Sequence, residues 1–528
     1  MIYFLVPLLL TFDQLAFCKA STVLLDRNLG DPFNTSVLLW TRAVPVSPPG
    51  TTELPDQSVP ACLSFKISTS LDLQGNIIDS GEAFTSYDVD WTLKVEATGL
   101  DPDTRYSFQF SDCTNSSSVS PIGRTRTLPS PDTPAGNVNG GTPLTLAVFS
   151  CSQYQAGEIS LFEAAIFSEP FAQIFLHLGD YVSSIGRQTL GRELATVHDY
   201  RQRLNQYRTD EGLLAAHLSG PWITVADQSW KAGTADSNDS TIGCEFSPSG
   251  SCFTDRKLAA VRAYHEWLPI RQVTVDDKLR IWRNFEIGKL LDLTMLDTRQ
   301  YDRDITDASI SIISMFECSI LIFNHSVINT LAAFPNRSLM GSEQEKWFFD
   351  TLSQSQNRGA IWRVDAWDGY RANRERVLDY LYQNNINNTI VLSGDSHANW
   401  VSDLARRGAI GVEFAGTAVT SGSSFGTDIL PAAADVKSEQ YVAANLDLQW
   451  SEGSYRGFFT LTIDPNTLNA TYYAMRNIMT DFTLAFANLD GFASANFIVK
   501  AGENRISRPV AGGSTLAGAL KFNGTEGH

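Results

Sequence analysis

The chain has 528 residues, more than one ordinary domain, so we expect two domains of which one is large. Its 43% hydrophobic and 19% charged residues supply a large core and exclude global disorder. The formal net charge of −18 argues against binding to a nucleic-acid backbone, whereas a small anionic substrate stays compatible because a bound metal can reverse the local charge.

Residues 1–20 are expected to be a secretory signal peptide. An apolar run extends from Ile2 to Leu10, and Ala20 places a small residue before the cleavage site. The run is not preceded by Lys or Arg, so an ordinary hydrophobic N-terminus is the alternative. Glycosylation triplets of the type N-x-Ser/Thr support secretion. They begin at Asn34, Asn115, Asn238, Asn324, Asn336, Asn387, Asn469 and Asn523. We therefore expect a secreted, extracellular protein that carries N-glycans.

The chain has seven cysteines, and six remain once Cys18 leaves with the signal peptide. In an oxidising compartment, Cys62–Cys113 and Cys244–Cys252 are candidate disulfides. Cys151 differs from these because it follows a predicted strand and needs no disulfide partner.

Residues 21–130 predict a small β-sandwich of immunoglobulin or fibronectin type. The stretches "ACLSFKIST" and "WTLKVEATGL" alternate apolar and polar residues, as half-buried strands do, and turns separate the short strands. Residues 131–143 are rich in Pro and Gly and are expected to be a linker.

Residues 144–528 predict a large α/β domain. Predicted strands alternate with helices and are followed by a hairpin around Asp464-Pro465-Asn466, which indicates helices packed on a mixed sheet. The helix in "GSEQEKWFFDTL" opens with a predicted capping box of Ser342 and Glu345. The apolar stretch 309–334 contains Glu317 and His325, which argue against a transmembrane span.

Polar residues follow several of the buried strands in this domain. "QIFLHLGDYV" ends in Gly-Asp at Asp180, "NNTIVLSGDSHANW" ends in Asp395 and His397, and "LTLAVFSC" ends in Cys151. Ligand sites in open α/β sheets collect at the carboxyl ends of strands, so these side chains are expected to lie together. Because Asp oxygens and His nitrogens are ordinary metal ligands, the pattern predicts a metal site. A single Gly-Asp pair carries little information, but two such strand ends and a histidine are more specific.

Several motifs carry a resemblance to a known family: "SVLLWTR", "FSCSQ", "HLGDYV", "AYHEWLPIRQ", "LDTRQYD", "DAWDGYRANR" and "VLSGDSHANW". With them the chain resembles the PhoD-type alkaline phosphatases over nearly its whole length after the signal. The resemblance implies a four-layer metallophosphoesterase-like α/β sandwich behind a small β domain. It also implies hydrolysis of small phosphomonoesters or phosphodiesters at alkaline pH, with calcium (Ca²⁺) and ferric iron (Fe³⁺) as cofactors.

The resemblance also assigns roles to site residues. Cys151 matches a thiolate ligand of iron, and Asp180 matches a bridging carboxylate. Asp395 and His397 match the motif that closes the metal site. Asp180, Asp395 and His397 are accordingly the expected catalytic residues, and all four residues are expected metal ligands.

The sequence departs from the family pattern at three places. Ser183 stands where the family has a phenolate ligand, and a Trp-Asp-Asp-His-Glu block is missing between Val225 and Ala226. A strand and loop are also missing directly after Val364. Because whole blocks are missing between well-matched segments, we hypothesise displaced exon boundaries, with 309–334 as a retained non-coding stretch.

The departures leave three functions to weigh. The first is a phosphatase that is impaired in this version because parts of its metal site are missing. The second is a catalytically inactive glycoprotein that binds phosphate or calcium. The third is an adhesion or interaction protein that uses the β-sandwich of residues 21–130 as its binding module.

Overall fold

The computed structural model describes residues 16–17, 21–22, 27–45, 56–154, 172–181, 194–225, 253–273, 277, 279–298, 301, 335–364, 371–426, 428–476 and 491–521. The predicted disulfide Cys244–Cys252 and the segment 309–334 lie outside these residues, as do most of the predicted signal peptide and Ser183.

The strands of the described residues are β1 (Ala16–Phe17), β2 (Ser21–Thr22), β3 (Arg27–Gly30), β4 (Val37–Arg42), β5 (Ala61–Ser68), β6 (Ile77–Thr85), β7 (Thr92–Ala97), β8 (Arg105–Asp112), β9 (Gly123–Arg126), β10 (Leu144–Phe149), β11 (Ile174–His177), β12 (Trp222–Thr224), β13 (Arg283–Ile287), β14 (Leu291–Met295), β15 (Trp362–Val364), β16 (Thr389–Ser393), β17 (Asn399–Ala405), β18 (Ala409–Ala415), β19 (Leu448–Glu452), β20 (Arg456–Ile463), β21 (Thr467–Met475), β22 (Gly491–Lys500) and β23 (Ala519–Leu520).

The α-helices of the described residues are α1 (Val197–Tyr207), α2 (Glu211–Ser219), α3 (Phe253–Trp267), α4 (Gly341–Arg358), α5 (Arg371–Gln383) and α6 (Pro431–Ala444). None of these helices combines the length and the apolar content that a membrane span requires. The predicted capping box at α4 is wrong: Met340 occupies the N-cap without a side-chain bond, and Glu345 instead pairs with Arg376 of α5.

One large sheet has nine strands in the order β22-β21-β20-β10-β11-β12-β3-β4-β7. Its centre is parallel, since β10 pairs with β11 and β11 pairs with β12 in that sense. Every residue of β10 is buried, because the strand is covered on both faces. Leu146 and Val148 pack against the second large sheet, whereas Ala147 and Phe149 pack in the cluster that α1, α2 and α3 complete.

The second large sheet has eight strands in the order β13-β14-β15-β16-β18-β17-β19-β23. Strands β14, β15, β16 and β18 are parallel neighbours. Ile390 and Leu392 of β16 face the core between the two sheets, and Val391 packs against Leu378 of α5 on the opposite face. Helices α4 and α5 pack together on this outer side. The layers are thus helices, sheet, sheet and helices, which confirms the predicted four-layer α/β sandwich.

A β-rich domain precedes this sandwich. A four-stranded sheet of order β6-β5-β8-β9 packs against β4 and β7 around a core that includes Leu39, Ile67 and Phe108. The predicted disulfide Cys62–Cys113 is confirmed, with Cα atoms 5.6 Å apart. Strands β3, β4 and β7 also extend the nine-stranded sheet, because Gly30 pairs with Trp222. In the segment 131–143, which the sequence predicts to be a linker, Val138 is buried in the core between the sheets.

A buried ion pair stabilises the contact between the N-terminal β-rich domain and the α/β sandwich. Arg283 donates from Nε and Nη2 to the two carboxylate oxygens of Asp31, each at 2.7 Å. The main-chain N–H of Arg271 donates to the same carboxylate at 2.6 Å. The Asp31 and Arg283 side chains are 0% and 4% exposed. A bidentate pair with an additional donor compensates two charges that are held away from water.

We predict that Asp31→Asn lowers the free energy of unfolding by about 3–5 kcal/mol, because the substitution leaves the Arg283 charge buried without its carboxylate. Urea unfolding followed by tryptophan fluorescence measures this loss. The control is Asp379→Asn, which breaks an exposed pair with Arg406 and should cost much less, because solvent screens that pair. Equal costs for the two variants would contradict this role for Asp31.

Candidate active site

Three loops meet at the carboxyl edge of the parallel strands. Beyond β10 and β11 the chain continues in two adjacent loops, in which Cys151 N donates to Gly179 O at 3.1 Å and Ser152 N donates to Asp180 O at 2.9 Å. The loop that follows β16 joins them, since Asp395 N donates to Ser150 Oγ at 3.2 Å. Each loop carries at least one predicted site residue, so the strand ends position the site as expected.

A glycine allows the third loop to approach the first. A Cβ atom on Gly394 would overlap Ser150 Oγ and lie 2.8 Å from Ser150 Cβ, which is closer than real side chains come. Only a residue without a side chain therefore fits between the two sheets at this point. This contact explains the glycine that precedes Asp395.

The predicted site residues share an uncommon backbone conformation. Cys151, Asp180, Asp395 and His397 have positive φ angles of 55°, 54°, 68° and 53°. For residues other than glycine, such angles cost on the order of 1–3 kcal/mol each and persist where the surroundings hold them. Their concentration at one edge of the sandwich supports a functional site at this position.

Three of the four predicted ligands form a cluster. The Cys151 sulfur, an Asp180 carboxylate oxygen and an imidazole nitrogen of His397 all lie within 4.8 Å of one another. Cys151 Sγ is 3.8 Å from Asp180 Oδ2. Cys151 and Asp180 are buried, whereas His397 is half-buried. The fourth residue, Asp395, is exposed and is not a member of this cluster.

One nitrogen of His397 is already engaged. Nδ1 lies 2.8 Å from the carbonyl oxygen of Gly422, and a carbonyl only accepts, so Nδ1 carries the proton. The lone pair of the neutral ring is then on Nε2. Metal-binding histidines commonly have one ring nitrogen held by such an acceptor, so this bond is compatible with a ligand role for His397.

The donor set of the cluster fits a transition metal. A thiolate, a carboxylate and an imidazole together suit iron and related ions, whereas calcium takes six to eight oxygen ligands. The structure gathers one other group of possible ligands among the described residues, formed by Cys62, Glu82 and Cys113. Its sulfurs belong to the disulfide and cannot act as thiolates.

Two buried histidines, His177 and His217, contact residues that directly follow the cluster residues Cys151 and Asp180 in the chain. Ser152 Oγ is 3.2 Å from Nε2 of His177, and the Tyr181 hydroxyl is 2.6 Å from Nε2 of His217. Burial lowers the pKa of His177 to about 3, against a smaller opposing effect of the Gly179 backbone. Burial lowers the pKa of His217 well below its usual range, and the charge of Arg208 adds to this effect. Both rings are therefore neutral at physiological pH.

Sequence reasoning did not single out these histidines. The available signal was the polar His177 within the apolar strand "IFLH", a placement that favours a neutral, hydrogen-bonded ring. No comparable signal marks His217, which becomes a neighbour of Tyr181 only through the packing of α2.

Two of the places where the sequence departs from the family pattern lie directly after β12 and β15. Strand β12 ends at Thr224 after three residues, and the described part of β15 reaches Val364. Val225 still pairs with β11, because its N–H donates to His177 O at 3.1 Å. The residues that follow, from 226 and from 365, lie outside the described part of the chain.

A four-layer α/β sandwich with a metal-ligand cluster at its strand ends defines a metallophosphatase. The model of the PhoD-like phosphatase family matches residues 146–364 and 359–472. The model of the PhoD-like phosphatase N-terminal domain matches residues 27–129. Alkaline phosphatase D of Bacillus subtilis (strain 168) is 30% identical over 484 residues, which are 84% of this chain and 76% of that relative.

Two solved structures are similar to this chain in fold. A structure of PhoD superposes with a TM-score of 0.72 at 27% identity and covers 97% of this chain and 95% of its own. A purple acid phosphatase from yellow lupin (Lupinus luteus) shares the fold, with a TM-score of 0.51 at 10% identity over 90% of this chain and 74% of its own. The chain belongs to the PhoD-like phosphatase family, whose members are phosphoric ester hydrolases.

The low pKa of His177 predicts that the folded state loses stability in acid. The folded state holds the ring neutral down to about pH 3, whereas the unfolded chain protonates it near 6.5. Stability is therefore lost as pH falls from about 6.5 toward 3, by up to about 1.4 kcal/mol per pH unit. His177→Gln keeps a polar group for Ser152 but cannot titrate, so its stability should fall less steeply.

Urea unfolding at pH 7.5 and pH 4.5 measures this difference. The control is His198→Gln, which makes the same substitution at an exposed position. Identical slopes for wild type and His177→Gln would show that His177 does not titrate on unfolding.

Proposed function

We propose that the protein is a secreted, metal-dependent phosphatase that hydrolyses small phosphomonoesters or phosphodiesters at alkaline pH. The observation that carries this proposal is the cluster of Cys151, Asp180 and His397 at the carboxyl edge of the sandwich. Membership of the PhoD-like phosphatase family supports the reaction class.

The cluster residues would hold one transition-metal ion, and ferric iron suits the thiolate of Cys151 best. A bound metal polarises a phosphoryl oxygen and stabilises the charge that develops during displacement. Asp180 supplies a buried carboxylate, and His397 supplies a neutral ring whose orientation is set by the Gly422 carbonyl. We assign proton exchange with substrate or solvent to the carboxylate oxygens of Asp395, because this residue is exposed directly beside the cluster loops.

Calcium is the second cofactor that we propose. The described residues contain no group of three or more carboxylates for it. Its oxygen ligands would therefore come from parts of the chain outside the described residues. Bound calcium would add positive charge for the phosphate of the substrate.

A disulfide and the surface positions of two asparagines in glycosylation triplets support secretion. The disulfide Cys62–Cys113 suits an oxidising compartment. Asn336 is exposed, and Asn115 lies in a surface turn in which its side chain accepts from Ser117 Oγ at 2.6 Å. Both asparagines are accordingly accessible acceptors for N-glycans.

A catalytically inactive phosphate- or calcium-binding glycoprotein is the second candidate. The observation that favours it is the short β12, which ends at Thr224 next to the block that the sequence lacks relative to the family pattern. Such a protein would keep the fold and bind metal without turnover.

The test uses the full chain, purified from a eukaryotic secretory host and assayed with 4-nitrophenyl phosphate and bis(4-nitrophenyl) phosphate after addition of Fe³⁺ and Ca²⁺. We expect metal-dependent hydrolysis that Cys151→Ala and Asp180→Asn each reduce by at least about 100-fold, because each variant removes a ligand. The control His198→Ala changes an exposed residue and should keep full activity.

Two outcomes would contradict the proposal. Metal bound at the cluster without hydrolysis of either ester would favour the inactive binding protein. Hydrolysis that survives both ligand substitutions would place the reaction at another site.

A further inference from the structure

Arg456 is a buried cation beside the metal-ligand cluster. It is the first residue of β20, in the nine-stranded sheet, and is 5% exposed. Its guanidinium donates from Nη1 to the carbonyl oxygens of His397 at 2.8 Å and Ser421 at 3.1 Å. Nη2 donates to Gly453 O at 3.4 Å. These hydrogen bonds all go to main-chain carbonyls, so the side chain acts on backbone position.

The first two carbonyls belong to segments that hold the cluster. His397 is a predicted ligand, and Gly422, directly after Ser421, accepts from its Nδ1. The Ser421 hydroxyl donates to Cys151 O at 3.1 Å. One guanidinium is therefore linked to His397, to the acceptor that orients its ring, and through Ser421 to the cysteine.

Residues 416–422 connect the two sheets at this point. Gly416 N donates to Ser393 O of β16, and Val419 N donates to Ser150 O, both at 2.9 Å. Thr420 Oγ1 accepts from Gln153 N at 2.7 Å. The segment thus contacts both the loop that carries Cys151 and the strand that leads to His397. Arg456 binds the carbonyl of Ser421 near the end of this segment.

We propose that Arg456 is a positioning residue of the metal centre, which fixes the backbone of His397 and of Ser421–Gly422 so that the His397 imidazole faces Cys151 and Asp180. The inference rests on the proposed function in so far as the cluster binds a metal. A planar guanidinium bridges two carbonyls in a fixed geometry, which an ammonium group or an apolar side chain does not reproduce. Arg456 positions His397 and the loop through its hydrogen bonds, and its charge also interacts with Cys151 and Glu452.

Removal of Arg456 should weaken metal binding. The carbonyls of His397 and Ser421 would lose the donor that Arg456 supplies, and His397 would be less restrained in its left-handed conformation at φ 53°. Outer-shell partners of metal ligands typically contribute 10–100-fold to metal affinity, and we expect Arg456→Met to lose about that much. Arg456→Lys keeps the charge but lacks the planar guanidinium. Its metal affinity should lie between those of wild type and Arg456→Met.

Arg358 offers a control at a distant position, where it also pairs with the buried carboxylate of Asp292. It also bridges two main-chain carbonyls, donating from Nη1 to Pro131 O and Gly288 O at 2.7 Å each. It lies at the end of α4, beside the start of β14 and therefore at the opposite edge of the sheet from the cluster. Arg358→Met should lower the urea midpoint without any change in metal affinity.

The experiment is titration of the metal-free full chain with Co²⁺ against a competing chelator, followed by absorption spectroscopy. Wild type should show a thiolate-to-cobalt charge-transfer band that Cys151→Ala lacks. Arg456→Met should bind Co²⁺ about 10–100-fold more weakly and with an altered ligand-field spectrum. Urea unfolding of the same samples separates this effect from loss of the fold.

Each outcome decides the proposal. Wild-type affinity and spectrum in Arg456→Met would overturn it. If that variant does not fold, Arg456→Lys takes its place, and wild-type Co²⁺ binding in Arg456→Lys would overturn it equally. Wild-type protein that shows no charge-transfer band would contradict the proposed metal centre itself, and with it the positioning role.

Discussion

The close approach of Gly394 to Ser150 is the constraint on which the site depends. Cys151 and Asp180 follow strands of the nine-stranded sheet, whereas His397 follows a strand of the eight-stranded sheet. The two sheets pack through apolar side chains, so their polar strand ends meet only where this packing stops. A side chain at position 394 would keep the two loops apart and separate the imidazole from the thiolate.

Hydrogen bonds then hold this junction in a conformation that the backbone alone disfavours. The left-handed Cys151 and His397 each cost on the order of 1–3 kcal/mol. Bonds from Ser421 to Cys151, from His397 to Gly422 and from Arg456 to His397 surround these residues with fixed partners. These bonds fix the positions of Cys151 and His397, which the proposed metal centre requires.

Features that depend on local pattern could be predicted from the sequence. The strand β10, the hairpin at Asp464-Pro465-Asn466 and the disulfide Cys62–Cys113 all occur as expected. The features that could not be predicted from the sequence depend on tertiary contacts. Glu345 pairs with an arginine of the next helix and forms no capping box, because a partly buried ion pair outweighs a local cap. The role of Arg456 has no sequence signal, since its acceptors are main-chain carbonyls of distant residues.

The central claim is that Cys151, Asp180 and His397 bind one transition-metal ion in a PhoD-like phosphatase. X-ray absorption spectroscopy at the metal edge of the purified natural protein tests it most directly. The account predicts one sulfur scatterer among nitrogen and oxygen ligands, and its disappearance in Cys151→Ala. A first shell of nitrogen and oxygen alone, identical in wild type and Cys151→Ala, would contradict the account.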